Sequence, residues 1–280
     1  TLGGQFVVCL NADTGETVWS YRYEGPYEPA GLYPGPRATP SLAHGRVYFT
    51  SPSGLAGCLT ADRGRLIWSF NVFERFGVKP VDFGYSSSPT IVDDWVLLPV
   101  GSPGASMVAL RAGTGEVVWQ AGDETISHVP ALPITHGKRQ YVIGYFQNAL
   151  MAFHLKTGRV AWKMPMSSGY DEHAAWPIYS EPYLWISGPF RSGSHLLELT
   201  ADAPGYRTEW KSGLMSNDVC SSVLVDGHLY GFDLKDVQAK PHRPSRGQFR
   251  CMEFLTGREC WSNGSPNQRR QLSDRQPADS

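Results

Sequence analysis

Apolar and polar positions alternate in short runs along almost the whole chain, which is the period-two pattern of half-buried β-strands. Phe6 to Leu10 is the first such run, and Thr90-Ile91-Val92, then Asp93-Asp94, then Trp95 to Pro99 shows the usual unit of two runs joined by a tight polar turn. Other runs meet at a turn carrying Gly, where a positive φ is needed. Helix signals are nearly absent, so the pattern predicts an all-β chain of hairpins.

The hairpins repeat. A strand, Thr-Gly or a close variant, three residues and then Trp recur at Trp19, Trp68, Trp119, Trp162 and Trp261, with a looser copy at Trp210 that lies one residue further from its Gly205. Successive Trp are separated by 49, 51, 43, 48 and 51 residues. That spacing holds about four short strands and is too long for a helical-repeat unit, so each period predicts one β-propeller blade with strands A to D and Trp on strand D. A single blade cannot bury both faces of its sheet, and the recurring Trp are assigned a structural role as wedges between blades.

The repeat, which reads Asn-Ala-Asp-Thr-Gly-Glu-Thr-Val-Trp where it ends at Trp19, resembles the motif Asp-x-x-Thr-Gly-x-x-x-Trp, the tryptophan-docking motif of pyrroloquinoline-quinone (PQQ) type propeller repeats. The likeness spans residues 5 to 262, nearly the whole chain. Two kinds of protein share that fold: the quinoprotein alcohol dehydrogenases, and non-catalytic proteins similar to the outer-membrane-assembly lipoprotein of the BAM complex. The resemblance implies a ring that usually closes with eight blades, whereas five complete blades and the C and D strands of one more are counted here. The expectation is therefore an incomplete propeller over residues 1–262, closed by missing blades or by another chain, and a polar, disordered tail over 263–280. Isolated, such a chain is expected to be marginally stable and to associate through its uncovered ends.

Strand parity places the short turns, such as His44-Gly45 and Asp226-Gly227, on one face and all long loops on the other: 22–36, 71–86, 163–173, 211–219 and 232–248. Function concentrates in long loops on a rigid scaffold. Aligning the blades on Pro40, Pro89, Pro130, Pro177 and Ser222 brings Arg37, Tyr85, Ser86, Ser127, His128, His173, Asn217 and Asp218 to equivalent heights at the channel mouth. An Arg beside hydroxyls and imidazoles suits a carboxylate or a sugar, and solvated loop residues or turn caps are the alternative. Tyr170-Asp171-Glu172-His173 joins two carboxylates to an imidazole, but no second cluster completes a metal site. The basic, Pro-rich stretch 235–248, with Lys235, Lys240, His242, Arg243 and Arg246, reads as a solvated loop or as a contact for an acidic partner.

Composition narrows the classes without choosing among them. The 280 residues carry a formal charge of −1 and 41% hydrophobic residues, enough for a large core. No apolar run is long enough for a membrane span and no basic cluster marks a nucleic-acid footprint, which leaves a protein or a small molecule as partner. Cys9, Cys58 and Cys251 each precede their Trp by ten residues, where other blades have Ala109 and Ala152, so the position is a small core site on strand C. A Cys251–Cys260 bridge across the hairpin stays open. Thr1 is not a start methionine, so the natural N-terminus and any signal peptide are expected upstream.

A PQQ dehydrogenase needs a general base, a Ca²⁺ held by oxygens, cations on the quinone carboxylates and an aromatic plate. The quinoprotein alcohol dehydrogenases also carry an adjacent Cys-Cys pair and long insertions, and neither is present. The leading expectation is thus a propeller without catalytic or metal residues and without a cofactor, which presents its loop face in a bacterial cell envelope, periplasmic by resemblance. The alternative is a PQQ- and Ca²⁺-dependent oxidoreductase acting on alcohols. A truncated product without independent function is the third reading.

Overall fold

The computed structural model describes residues 4–24, 35–79, 83–166, 173–189, 191–200, 203–236 and 246–263. The chain divides into two compact units, Thr1–Pro133 with Gln140–Met166, and Ile134–Arg139 with Ser167–Ser280. The 264–280 part of the expected tail, and Lys240, His242 and Arg243 of the basic stretch, lie outside the described residues.

The first unit opens with a two-stranded sheet, β1 (Gln5–Leu10) and β2 (Thr17–Glu24). Two four-stranded antiparallel sheets follow, β3 (Ser41–Ala43) to β6 (Leu66–Asn71) and β7 (Thr90–Val92) to β10 (Val117–Ala121), each in sequence order. The next sheet runs from β11 (Leu132–His136) through β12 (Arg139–Tyr145) and β13 (Ala149–His154) to β14 (Val160–Pro165). The second unit holds β15 (Ile178–Ser180) to β18 (Tyr206–Ser212) and β19 (Val223–Val225) to β22 (Glu259–Ser262), again in order. Five four-stranded blades and a half-blade agree with the repeat count.

Each blade join in the first unit uses the same lock. The indole N–H of Trp19 donates to the Ala61 carbonyl at 2.9 Å, that of Trp68 to Ala112 at 2.9 Å and that of Trp119 to Leu155 at 2.8 Å. Three residues beyond each acceptor comes the turn Gly, held at φ +62 for Gly64, +72 for Gly115 and +70 for Gly158. The indole lies flat on that Gly: a Cβ on Gly64 would stand 2.4 Å from Trp19, and one on Gly158 2.5 Å from Trp119. Gly is therefore required twice at this position, for its backbone conformation and for the space above it. Inside the second unit Trp210 donates to Phe254 at 3.1 Å and covers Gly257 in the same way.

Strand register explains the small residue on strand C. Cys9, Cys58, Ala109, Ala152 and Cys251 sit directly across the ladder from Trp19, Trp68, Trp119, Trp162 and Trp261, and a register shift follows each pair. Small side chains predominate there without being obligatory. In the looser repeat Leu196 faces Trp210. All five cysteines are free, so the bridge left open above is not formed: Cys251 is buried opposite Trp261, and Cys260 is exposed. Burial pushes the Cys58 thiol up to about 11.

Two connections differ from their sequence reading. Within 71–86 the chain forms a single helical turn, α1 (Val72–Phe76), because the Asn71 side chain accepts the amide hydrogens of Phe73 and Glu74, and Gly77 ends it at φ 65. The connection read as 232–248 is shorter at both ends. β20 (His228–Asp236) and β21 (Arg246–Glu253) pair Phe232 with Phe249 and Asp233 with Gln248.

Candidate functional site

The eight mouth residues fall in both units, and each group is described by itself. In the first unit the loops that precede the A strands are stitched across blades by side-chain to backbone bonds. Thr39 N–H donates to Ser88 Oγ at 2.9 Å, Thr50 Oγ1 to the Ser87 carbonyl at 3.0 Å and Thr90 Oγ1 to the Ala131 carbonyl at 2.9 Å. The rule behind this is general: buried loop backbone must find partners, and hydroxyls of the adjoining blade supply them.

Arg37, Ser86 and His128 gather around Phe83. The Arg37 Nε donates to the Phe83 carbonyl, the Phe83 ring stands edge-on to His128 with centroids 5.8 Å apart, and Ser86 Oγ and His128 Nδ1 share a 2.5 Å hydrogen bond. One cation, one imidazole and one hydroxyl from three consecutive blades thus meet around Phe83. Tyr85 and Ser127 point elsewhere. Tyr85 is fully buried with its hydroxyl on the Pro99 carbonyl at 2.7 Å, and burial drives its phenol far above the ordinary range; Ser127 Oγ donates to the Tyr145 carbonyl.

In the second unit Asn217 is a structural hub. Its backbone N–H donates to Ser187 Oγ at 2.7 Å, its amide nitrogen to the Phe232 carbonyl at 2.8 Å, and its amide oxygen accepts from Ser222 Oγ at 2.8 Å. His173 is buried. Asp218 is 3% exposed, its Oδ1 has no hydrogen-bond partner among the described residues, and desolvation holds its carboxyl above the usual carboxylate range. Residues 170–172, next to His173, lie outside the described set.

The Asp218 environment makes a pH prediction. A carboxyl whose folded pKa is raised is stabilising below its unfolded pKa, and that contribution is lost as pH rises through the folded value. Asp218→Asn is therefore expected to raise the melting temperature at about pH 7 and to leave it nearly unchanged at about pH 4. An equal shift at both pH values would mean that charge burial is not the cause.

A buried network also lies behind these loops, and sequence reasoning missed it. Arg250 donates through Nε to Asp233 Oδ2 at 2.7 Å and through its terminal nitrogens to Glu259 and Gln248, while Asp233 Oδ1 accepts the Ser216 amide at 3.1 Å. The only sequence signal was an Asp and an Arg on apolar strands. Among the described residues no group of three His, Cys, Asp or Glu side chains could hold a metal ion, and no helix is long and apolar enough to cross a membrane.

The class these features define is a β-propeller assembled from tryptophan-docked, four-stranded repeats. The chain belongs to the PQQ_2 family, whose model, described as outer membrane protein assembly factor BamB, matches residues 3–181. It is 28% identical over 138 residues to the outer membrane protein assembly factor BamB of Burkholderia pseudomallei, covering 46% of this chain and 35% of that protein. Among solved structures it is similar to BamB from Moraxella catarrhalis, with a TM-score of 0.60 and 18% identity over 89% of this chain and 65% of that one. The quinohemoprotein alcohol dehydrogenase of Comamonas testosteroni gives 0.59 and 14%, over 92% of this chain and 57% of that one. These two likenesses concern the fold. The chain spans less than two-fifths of the length of the first curated relatives it matches, 38% and 35%.

PQQ would require cations for its carboxylates, an aromatic plate and an oxygen-ligated cation. The described residues expected at the mouth do not fit that set: Arg37 is engaged on a backbone carbonyl, the Tyr85 ring is wholly buried, and among the described residues no group of three His, Cys, Asp or Glu side chains could hold a cation.

Proposed function

We propose that this chain is a non-catalytic propeller scaffold that binds a protein partner in outer-membrane protein assembly, on the extracytoplasmic side of a bacterial inner membrane. The observation that carries the reading is the use to which the mouth polar groups are put. Ser86, Ser87 and Thr90 bond to the neighbouring blade, as the Asn217 amide does to Ser187, and Ser127 ties its loop to its own blade, which supports a rigid recognition surface on the loop face rather than a reaction centre. The family to which the chain belongs supports the same direction.

Photo-crosslinking from Trp176 and Val219, both exposed on loops of the second unit, tests it in cells that have an outer membrane. Crosslinks to a component of outer-membrane protein assembly are expected. Stoichiometric PQQ binding with Ca²⁺, together with alcohol-dependent dye reduction, would favour the quinoprotein reading and sink this one.

A further inference from the structure

In each well-aligned blade the residue just before the docking Trp is the extra residue of a strand-D bulge. In the last described blade Cys251 pairs with Trp261 and Met252 with Glu259, so Cys260 is left between the two pairs. The same shift sets Val18 beside Cys9 and Ile67 beside Cys58. Val118 and Ala161 occupy the bulge where strand C has Ala109 and Ala152. Among the described residues, the sheet β19 to β22 alone has a cysteine at both places.

A bulge breaks the alternation of side chains, and here it brings two thiols together. Glu259 reaches Arg250 on one face of the sheet, while Trp261 stands with Cys251 on the other, and the extra residue between them joins the second face. The Cys251 thiol accordingly shares hydrogen bonds with the hydroxyl of Tyr230, its partner on β20, and with the Cys260 thiol. Opposed ladder residues have Cα atoms about 4.5–5.5 Å apart, inside the roughly 4.4–6.8 Å that a disulfide spans. Access is divided between the two. Cys251 is 2% exposed, whereas Cys260 is open to solvent. Its counterpart Ile67 is 39% exposed although the Trp19 and Trp68 locks join its blade to one on either side, so a neighbouring blade does not seal this position.

We propose that Cys251 and Cys260 form a reversible dithiol–disulfide site that is oxidised by an external disulfide. Both are thiols in this structure. Cys260, the accessible one, gives up its proton and attacks one sulfur of the external disulfide; that S–S bond breaks, and the departing thiolate takes up a proton. Cys251 then loses its proton and attacks the Cys260 sulfur, so the mixed disulfide breaks and the second external thiolate leaves and is protonated in turn. One S–S bond is broken and one is formed, and two electrons pass from the pair to the external disulfide. Burial holds the Cys251 thiol above its ordinary range, against the hydrogen bond from Tyr230, which suits it to the second step. The new bond pins the bulge beside Trp261. The site stands apart from the scaffold reading and does not depend on it.

The test equilibrates the 280-residue chain in glutathione buffers from fully reduced to fully oxidised, then alkylates, unfolds and digests it with trypsin for mass spectrometry. Arg258 lies between the two cysteines, so the bridge is read as the peptides Cys251–Arg258 and Glu259–Arg269 joined by one disulfide, in material that runs as a single chain on a non-reducing denaturing gel. Oxidised buffer is expected to remove both thiols of the pair together and to yield the joined peptides, and reductant to restore the thiols. Cys251→Ala, which gives this blade the residue found at Ala109 and Ala152, should stop after the first step with one glutathione on Cys260. Cys260→Ser should leave Cys251 a free thiol throughout. Thiols at both positions that survive the whole series, glutathione on Cys260 of the wild type without joined peptides, or a Cys251→Ala chain without the adduct would overturn the proposal.

Discussion

Trp119→Ala is expected to lower the unfolding free energy by about 3–5 kcal/mol, the range for truncating a buried aromatic residue. Trp119 is 8% exposed, donates to Leu155 and lies over Gly158, so the change leaves a cavity and an unpaired carbonyl at one blade join. Set against a net stability of about 5–15 kcal/mol, this is enough to unfold a marginal chain at moderate temperature. Gly158→Ala should also be costly, since its Cβ would strike the same indole and its φ of +70 disfavours any side chain. The two are coupled: once the indole is gone the Ala methyl has room, so the double variant should cost less than the sum by about 0.5–3 kcal/mol. Urea unfolding of the four proteins measures this. Strict additivity, or a loss under about 1 kcal/mol for Trp119→Ala, would mean that the lock does not hold the blades.

Arg250→Met is the second large effect. Asp233 and Arg250 have side chains only 3% and 6% exposed, and removing the guanidinium strands a buried carboxylate at an expected cost of about 3–5 kcal/mol. Adding Asp233→Leu removes that stranded charge and should restore part of the loss, leaving mainly the orphaned Ser216 amide, worth about 1–3 kcal/mol. Because Ser216 and Asn217 are tied to β20 through Asp233 and the Phe232 carbonyl, hydrogen exchange over residues 214–219 should speed up in Arg250→Met before the rest of the sheet is affected. Unchanged protection there would show that the network braces the sheet alone.

What was legible in the sequence follows from periodicity. The Trp, the turn Gly and the small residue ten positions before Trp recur at fixed offsets, and those offsets are the cross-strand register and the blade join themselves. Asp233 and Arg250 recur nowhere, and they meet across a hairpin whose ends had been read as loop, so no repeat pointed to them. The mouth shows the same limit on a smaller scale. Alignment put Tyr85 and Ser86 at one height, but neighbouring residues take opposite sides, and only the fold shows that Tyr85 goes inward to Pro99 while Ser86 meets His128. The turn of helix α1 has five residues, too few to carry a helical period, and rests on one Asn cap.

The direction of the lock matters for how the chain is made. Each of the four docked indoles among the described residues waits for a carbonyl that lies later in the sequence, 42 residues on for Trp19, 44 for Trp68, 36 for Trp119 and 44 for Trp210. At a synthesis rate of about 5–20 residues per second, each Trp leaves the ribosome roughly 2–9 s before its acceptor exists. During that interval the newest blade shows an aromatic face to the cell, so the nascent chain always carries one sticky end that moves forward blade by blade.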